Sequence, residues 1–176
     1  MASQLIASHR ENAVIVTGKV AIKKKMSELL KKAKFPLGVM PVDEAVELGH
    51  NPSTGFLWVT RKKKLEIFFK GINKKATFDT DVTGFLEEHR MKKITGIKAK
   101  ELMIWVSLTD FRIDDPASGK IIFTGTAGIT KTFSISAFEE EEEEEEKVEA
   151  KVVEPVKKEV EVKKMEEAKK EVEVKN

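Results

Sequence analysis

Apolar residues first recur along this chain with a helical period. Ile22, Met26, Leu29, Leu30 and Ala33 form one stripe of a helix over residues 20–34. Lys23, Lys24, Lys25, Lys31, Lys32 and Lys34 occupy much of the remaining surface, so the helix is basic and amphipathic. Pro36 ends it, with Phe35 extended before it. From about residue 42 the period falls to two. "VDEAVELGH" passes through the turn "NPSTG" into "FLWVT", and the hinge "RKKK" leads into "LEIFFK", where Leu65, Ile67 and Phe69 share a face. In "KATFDTDVTGFLEE", Ala76, Phe78 and Val82 oppose Thr77, Asp79, Asp81 and Thr83. After "KELMIWVSL" and the turn "DDPASGK" come "KIIFTG" and "TKTFSISAF", the last alternating Phe133, Ile135 and Ala137 with Thr132, Ser134 and Ser136. Short strands with Gly, Pro and Asn at their turns predict a mainly β chain: a small antiparallel, barrel-like domain flanked by an N-terminal amphipathic helix.

One stretch breaks the alternation. In "KELMIWVSL", Leu102, Ile104, Val106 and Leu108 fill one face while Met103 and Trp105 make the other apolar as well. Read as a strand, it needs a dry cover on both sides: the helix stripe, an apolar ligand or a membrane. The helix stripe is the simplest cover, since burying apolar area is worth about 25 cal/mol per Å².

Charge divides the chain. Residues 1–138 hold 23 Lys/Arg against 14 Asp/Glu, a net of +9, whereas residues 139–176 hold 9 Lys against 16 Glu, a net of −7. The expected organisation is a flexible N-terminus over 1–18, a helix-plus-β domain over 19–138, and a disordered Glu/Lys-rich tail over 139–176 with "KKEVEV" twice in it. With no cysteine, disulfides, thiolate metal sites and cysteine nucleophiles are excluded. The N-terminus lacks a continuous apolar signal region and no window is long enough to span a bilayer, so a cytoplasmic protein, at most peripheral to membranes, is the expectation.

"FPLGVMP" (35–41), "NPSTGFLWV" (51–59), "RMKKITGIKAKELMIWVSL" (90–108) and "DDPASGKIIFTGTAGITKTFSISAF" (114–138), in that order, resemble the land-plant family catalogued as domain of unknown function 538. The resemblance spans about residues 25–138 and covers proteins named "smaller with variable branches". It implies a small β-barrel-like domain with a flanking helix and a link to stress responses and trichome development. It also implies binding of lipids or lipopolysaccharide, or else hydrolysis of pigment esters, with no activity firmly established.

Catalytic signals are sparse. There is no G-x-S-x-G turn, and His9, His50 and His89 are the only imidazoles. His50 and Ser53, on either side of "NP", form the one pair close enough in sequence to test, although a polar turn with an exposed histidine explains them as simply. "EEH" at 87–89 and "DFRIDD" lack the spacing of a metal site. No catalytic residue, metal or cofactor is therefore assigned.

Binding is better served. Trp58, Phe68, Phe69, Met103, Trp105 and Phe123 are the candidates to line an apolar-ligand site within the β domain. Lys23, Lys24, Lys25, Lys31, Lys32, Lys34, Arg61, Lys62, Lys63 and Lys64 are the candidates to meet an anionic membrane surface, each worth about 1 kcal/mol there. Ile22, Leu29 and Phe35 have the spacing by which a calmodulin-like calcium sensor captures a basic helix. Nucleic acid is not expected, because aromatics are not interleaved with the basic clusters. The reading is a non-enzymatic binding protein for a lipid-like ligand or an anionic membrane surface. The alternative is a hydrolase of ester-bearing apolar substrates.

Overall fold

The computed structural model describes residues 2–139. Two helices, α1 (Ala2–His9) and α2 (Lys19–Lys32), flank a short strand, β1 (Val14–Val16). Eight strands follow: β2 (Ala45–Asn51), β3 (Phe56–Arg61), β4 (Leu65–Phe69), β5 (Lys74–Glu87), β6 (Arg90–Glu101), β7 (Ile104–Arg112), β8 (Lys120–Gly125) and β9 (Thr130–Ser134). They form one antiparallel sheet in the order β1-β2-β3-β5-β6-β7-β8-β9, with β4 beside β5. No ladder joins β1 to β9 among the described residues, so the barrel-like sheet is not closed. The Glu/Lys-rich segment expected to be disordered lies, apart from Glu139, outside the described residues.

β3 and β4 occupy successive stretches of the same edge of β5, since Thr60 pairs with Asp81 and Leu65 with Phe78. The exposed Lys62, Lys63 and Lys64 make the break between them, where the sequence places its hinge. On β6 the buried residues Met91, Ile94 and Ile97 are three apart rather than two. Lys93 (φ 52°) and Gly96 (φ 90°) each insert a left-handed kink that re-aims the next apolar side chain inward. At Gly96 a Cβ would strike the Asp81 carbonyl oxygen.

The predicted helix stripe is buried: Ile22, Met26, Leu29 and Leu30 pack with Leu48, Leu57, Val59, Met91 and Phe111 on the inner face of the sheet. Each contributes about 1.5–3 kcal/mol of apolar burial. The helix ends in a Schellman arrangement. Phe35 N–H donates to Leu30 O and Lys34 N–H to Lys31 O, with Lys34 left-handed (φ 68°) and both Phe35 and Leu30 buried.

The strand covered on both faces is β3. Leu57 and Val59 face α2, while Phe56 and Trp58 join Ile6 in a second apolar cluster on the α1 side. Residues 2–18, expected as a flexible N-terminus, hold α1 and β1. Ile6 is buried against Phe56 and Trp58, Arg10 pairs with Glu47, and Asn51 Nδ2 donates to the carbonyls of His9 (3.0 Å) and Glu11 (3.3 Å). Nor is "KELMIWVSL" a continuous strand. Glu101 pairs with Ile104, so Leu102 and Met103 are the turn of the β6–β7 hairpin, and α2 does not cover them.

Candidate functional site

Away from α2, the inner face of the sheet carries a string of aromatic contacts. Phe35 meets Phe111, which meets Phe123, which meets Phe133 and Phe138, with Phe69 between Phe138 and Phe78 (centroids 5.0–6.4 Å). The rings do not fill the space. Ala76, Ala99 and Gly125 leave a half-open cavity of about 80 Å³ walled by Phe69, Phe78, Val106, Leu108, Phe123 and Phe138. Val39 and Phe138, each in a 3-10 turn, complete the wall. Gly125 has no room for a side chain: a Cβ would lie 2.5 Å from Val106 Cγ1 and 3.0 Å from Ser107 O.

The cavity is apolar except at Thr124 and three charged residues. Glu101, Lys74 and Lys131 all line it, and Glu101 Oε1 accepts from Lys74 Nζ at 2.9 Å and lies 3.5 Å from Lys131 Nζ. One carboxylate shared between two ammonium groups leaves a net positive charge, with Lys131 half-exposed. That arrangement suits an amphiphile with an apolar end and an anionic head.

The sequence model of the family described as "Protein of unknown function, DUF538" matches residues 26–139, which include α2 from Met26 onward and every strand except β1. The chain belongs to the DUF538 family. It is also similar to an uncharacterized protein of Arabidopsis thaliana, 35% identical over 118 residues, covering 67% of this chain and 65% of that relative. No solved structure matches it. α1, which completes the second apolar cluster, lies outside the matched DUF538 region.

Within this DUF538 fold the six apolar candidates separate. Phe69 and Phe123 line the cavity. Trp58 is fully buried on the α1 side, its Nε1–H donating to Glu47 Oε2 at 2.9 Å. Phe68 is exposed on the opposite face of β4 from Phe69. Met103 stands at the hairpin tip, and Trp105 lies beside it beneath Lys100 Nζ, 5.6 Å from the ring centroid. Missed were Lys74, Glu101, Lys131 and the small residues that make the space. They come from distant strands, and no local pattern connects them.

The basic candidates separate too. Lys23, Lys24, Lys31, Lys32, Lys34, Lys62, Lys63 and Lys64 are exposed and Lys25 partly so. Arg61 is buried, donating from Nε to Asp43 O (2.9 Å) and from Nη2 to Pro41 O (2.7 Å), with its guanidinium over Phe78. Burial lowers its pKa, against the opposing pull of Asp43. It holds the 41–43 segment rather than facing solvent. Ile22, Leu29 and Phe35 are all buried, so capture by a calcium sensor would require the helix to leave the sheet.

No hydrogen bond links His50 to Ser53 among the described residues. Ser53 is exposed in its turn, its N–H donating to Asn51 Oδ1, and the His50 pKa is lowered by burial and then by Lys25 and Lys32. No group of three or more His, Asp or Glu among the described residues is arranged to hold a metal ion. A second, open cleft of about 410 Å³ is lined by Arg90, Lys92, Lys93, Thr109, Asp110, Arg112 and Thr124. Its cations are engaged: Arg90 binds Asp110 at 2.7 Å, Arg112 binds Asp114, Lys92 pairs with Glu87, and Lys93 lies over Phe85. The hydrogen bond to Asp110 raises the Arg90 pKa. This cleft reads as an ion-pair network on the sheet surface.

Proposed function

We propose that this DUF538 protein binds a lipid-like amphiphile without transforming it. The observation that carries the reading is the apolar cavity with Lys74, Glu101 and Lys131 at its polar edge. Its 80 Å³ is below the range of about 300–1,000 Å³ that encloses a drug-sized ligand. In this state it admits the end of an apolar chain, with the rest along the open side and an anionic head on Lys131, in competition with Glu101. No histidine or serine lines it among the described residues, so the His50–Ser53 pair of the hydrolase alternative lies outside it.

The test is native mass spectrometry with a medium-chain fatty acid below its critical micelle concentration. A one-to-one adduct is expected, lost in Ala99→Phe, which fills the cavity, and weakened in Lys131→Ala. No adduct, or one indifferent to Ala99→Phe in a variant that still folds, overturns the proposal.

A further inference from the structure

Two-residue hairpin turns require positive φ at the first or both central positions, and they are made from Gly, Asn and Asp because a Cβ crowds the backbone there. The β6–β7 hairpin uses Leu102 and Met103 instead, with Leu102 at φ 56°. These are the most exposed of the large apolar residues described, 90% and 89%, followed in the chain by Ile104 at 58% and Trp105 at 41%. The sequence thus breaks the conformational rule and the solvation rule at one point. Among the described residues nothing covers Leu102 or Met103.

The surroundings specify what could. Strand register places the β4–β5 turn at the same end of the sheet, because Ala76 pairs with Ala99 and Phe69 with Lys74. On the outer face Phe68 pairs with Lys75 and Lys100 with Trp105, and Phe68 is itself exposed. Lys70 and Lys98 are exposed nearby, and Lys74 and Lys131 stand at the cavity edge. The carboxylates here, Glu66 and Glu101, already pair with lysines. The result is a convex apolar tip in a collar of lysine. A four-residue tip offers far less than the roughly 800 Å² per partner of a stable protein interface. It does suit a leaflet, where aliphatic side chains enter the hydrocarbon, tryptophan sits at the headgroup level and lysines meet anionic lipid.

We propose that the β6–β7 tip is a docking wedge for anionic phospholipid bilayers. Leu102, Met103 and Ile104 enter the leaflet, Trp105 lies at its interface, and the lysine collar holds the headgroups. This contact is distinct from the lysines of α2. It deepens the amphiphile-binding reading, on which its purpose rests: Glu101 lines the cavity and adjoins the tip, so docking brings the cavity to the bilayer.

The full chain is mixed with phosphatidylcholine vesicles containing or lacking phosphatidylserine, and bound protein is measured by co-sedimentation. Tryptophan emission is followed with brominated lipid as quencher. Trp58 is buried in the cluster beside α1, so its emission is a constant background, and a blue shift and quenching on phosphatidylserine vesicles report Trp105. The double variant Leu102→Gly/Met103→Ser, which meets the turn's own demand, is expected to bind about tenfold or more weakly, the loss due from withdrawing two aliphatic side chains from hydrocarbon. Lys98→Glu/Lys100→Glu abolishes the preference for phosphatidylserine. The wedge is overturned by vesicle binding that the double variant retains, by binding without a blue shift, by no binding at all, or by self-association that the double variant abolishes. Ala99→Phe should still dock, and the double variant should still take up monomeric fatty acid. Failure on vesicles with fatty-acid uptake intact therefore removes the wedge and leaves the cavity reading standing.

Discussion

Gly49 lies opposite Trp58 in the β2–β3 ladder, and a Cβ there would fall among three atoms of the indole ring. Gly49→Ala therefore forces the ring to move. Trp58 is wholly buried against Phe56 and Ile6, with its Nε1–H on Glu47, and Glu47 also binds Arg10 through two bonds of 3.1 Å. Displacing the ring costs the hydrogen bond to a charged acceptor, about 1.5–3 kcal/mol, plus the strain of overpacking, about 1–3 kcal/mol. A total of about 2.5–6 kcal/mol lowers Tm by roughly 8–24 °C in a domain of this size. The loss should be local first. α1 has eight residues, too few for a helix to persist alone, so it melts when its platform tilts. Urea denaturation, near-ultraviolet circular dichroism of Trp58 and hydrogen exchange in residues 2–9 measure the three effects. Gly119→Ala is the control: its φ is 71° but nothing lies within 4 Å, so it should cost only about 1 kcal/mol. If Gly49→Ala leaves Tm within a degree or two of the parent and the tryptophan signal unchanged, the close-packed platform is refuted.

Acid should release the same helix. The Arg10 hydrogen bond, opposed by partial burial and assisted by the bond from Trp58, holds the Glu47 pKa below the ordinary carboxylate value. The folded state then binds fewer protons than the unfolded one, so this stabilisation is full above about pH 4.5 and is lost as pH falls through the lowered pKa. The Trp58 emission and α1 exchange should change in that window, and Glu47→Gln should remove the change; a transition that survives Glu47→Gln would assign it to another group. At the hairpin, Leu102→Gly alone should raise stability by about 1 kcal/mol, since glycine relieves the left-handed strain. A drop in urea midpoint would show that Leu102 has a stabilising contact within the domain.

The helix stripe and the inward faces of β4 and β5 were legible because they obey one period from end to end, whereas the alternation read through Phe133, Ile135 and Ala137 stops at Ser134, where a 3-10 turn (Ile135–Phe138) begins. β3 carries the continuous run "FLWV", the pattern of a strand covered on both sides, but the two-sided expectation was placed on 101–108 instead. The reason is chemical. A turn made of Leu102 and Met103 carries none of the Gly, Asn, Asp or Pro by which turns are recognised, so its residues counted as strand. On β6 the left-handed Lys93 and Gly96 stretch the apolar spacing to three, a period belonging to neither regular element. Phe69 and Phe123 were found as cavity residues because aromatics on inward faces are visible in sequence. Lys74, Glu101 and Lys131 were not, because their meeting depends on the register of distant strands. α1 was missed because its apolar surface is little more than Leu5 and Ile6, and its partner Trp58 lies more than fifty residues away.

A closed barrel has a bore set by strand number and stagger, and to widen it a ladder must break. Here the first and last strands of the sheet share no main-chain bonds among the described residues, so the interior has a seam. Parting that seam disturbs side-chain contacts while every rung of the sheet remains intact. On the proposed amphiphile-binding reading, the volume open to a guest would then be a property of the occupied state, adjustable to the length of what enters.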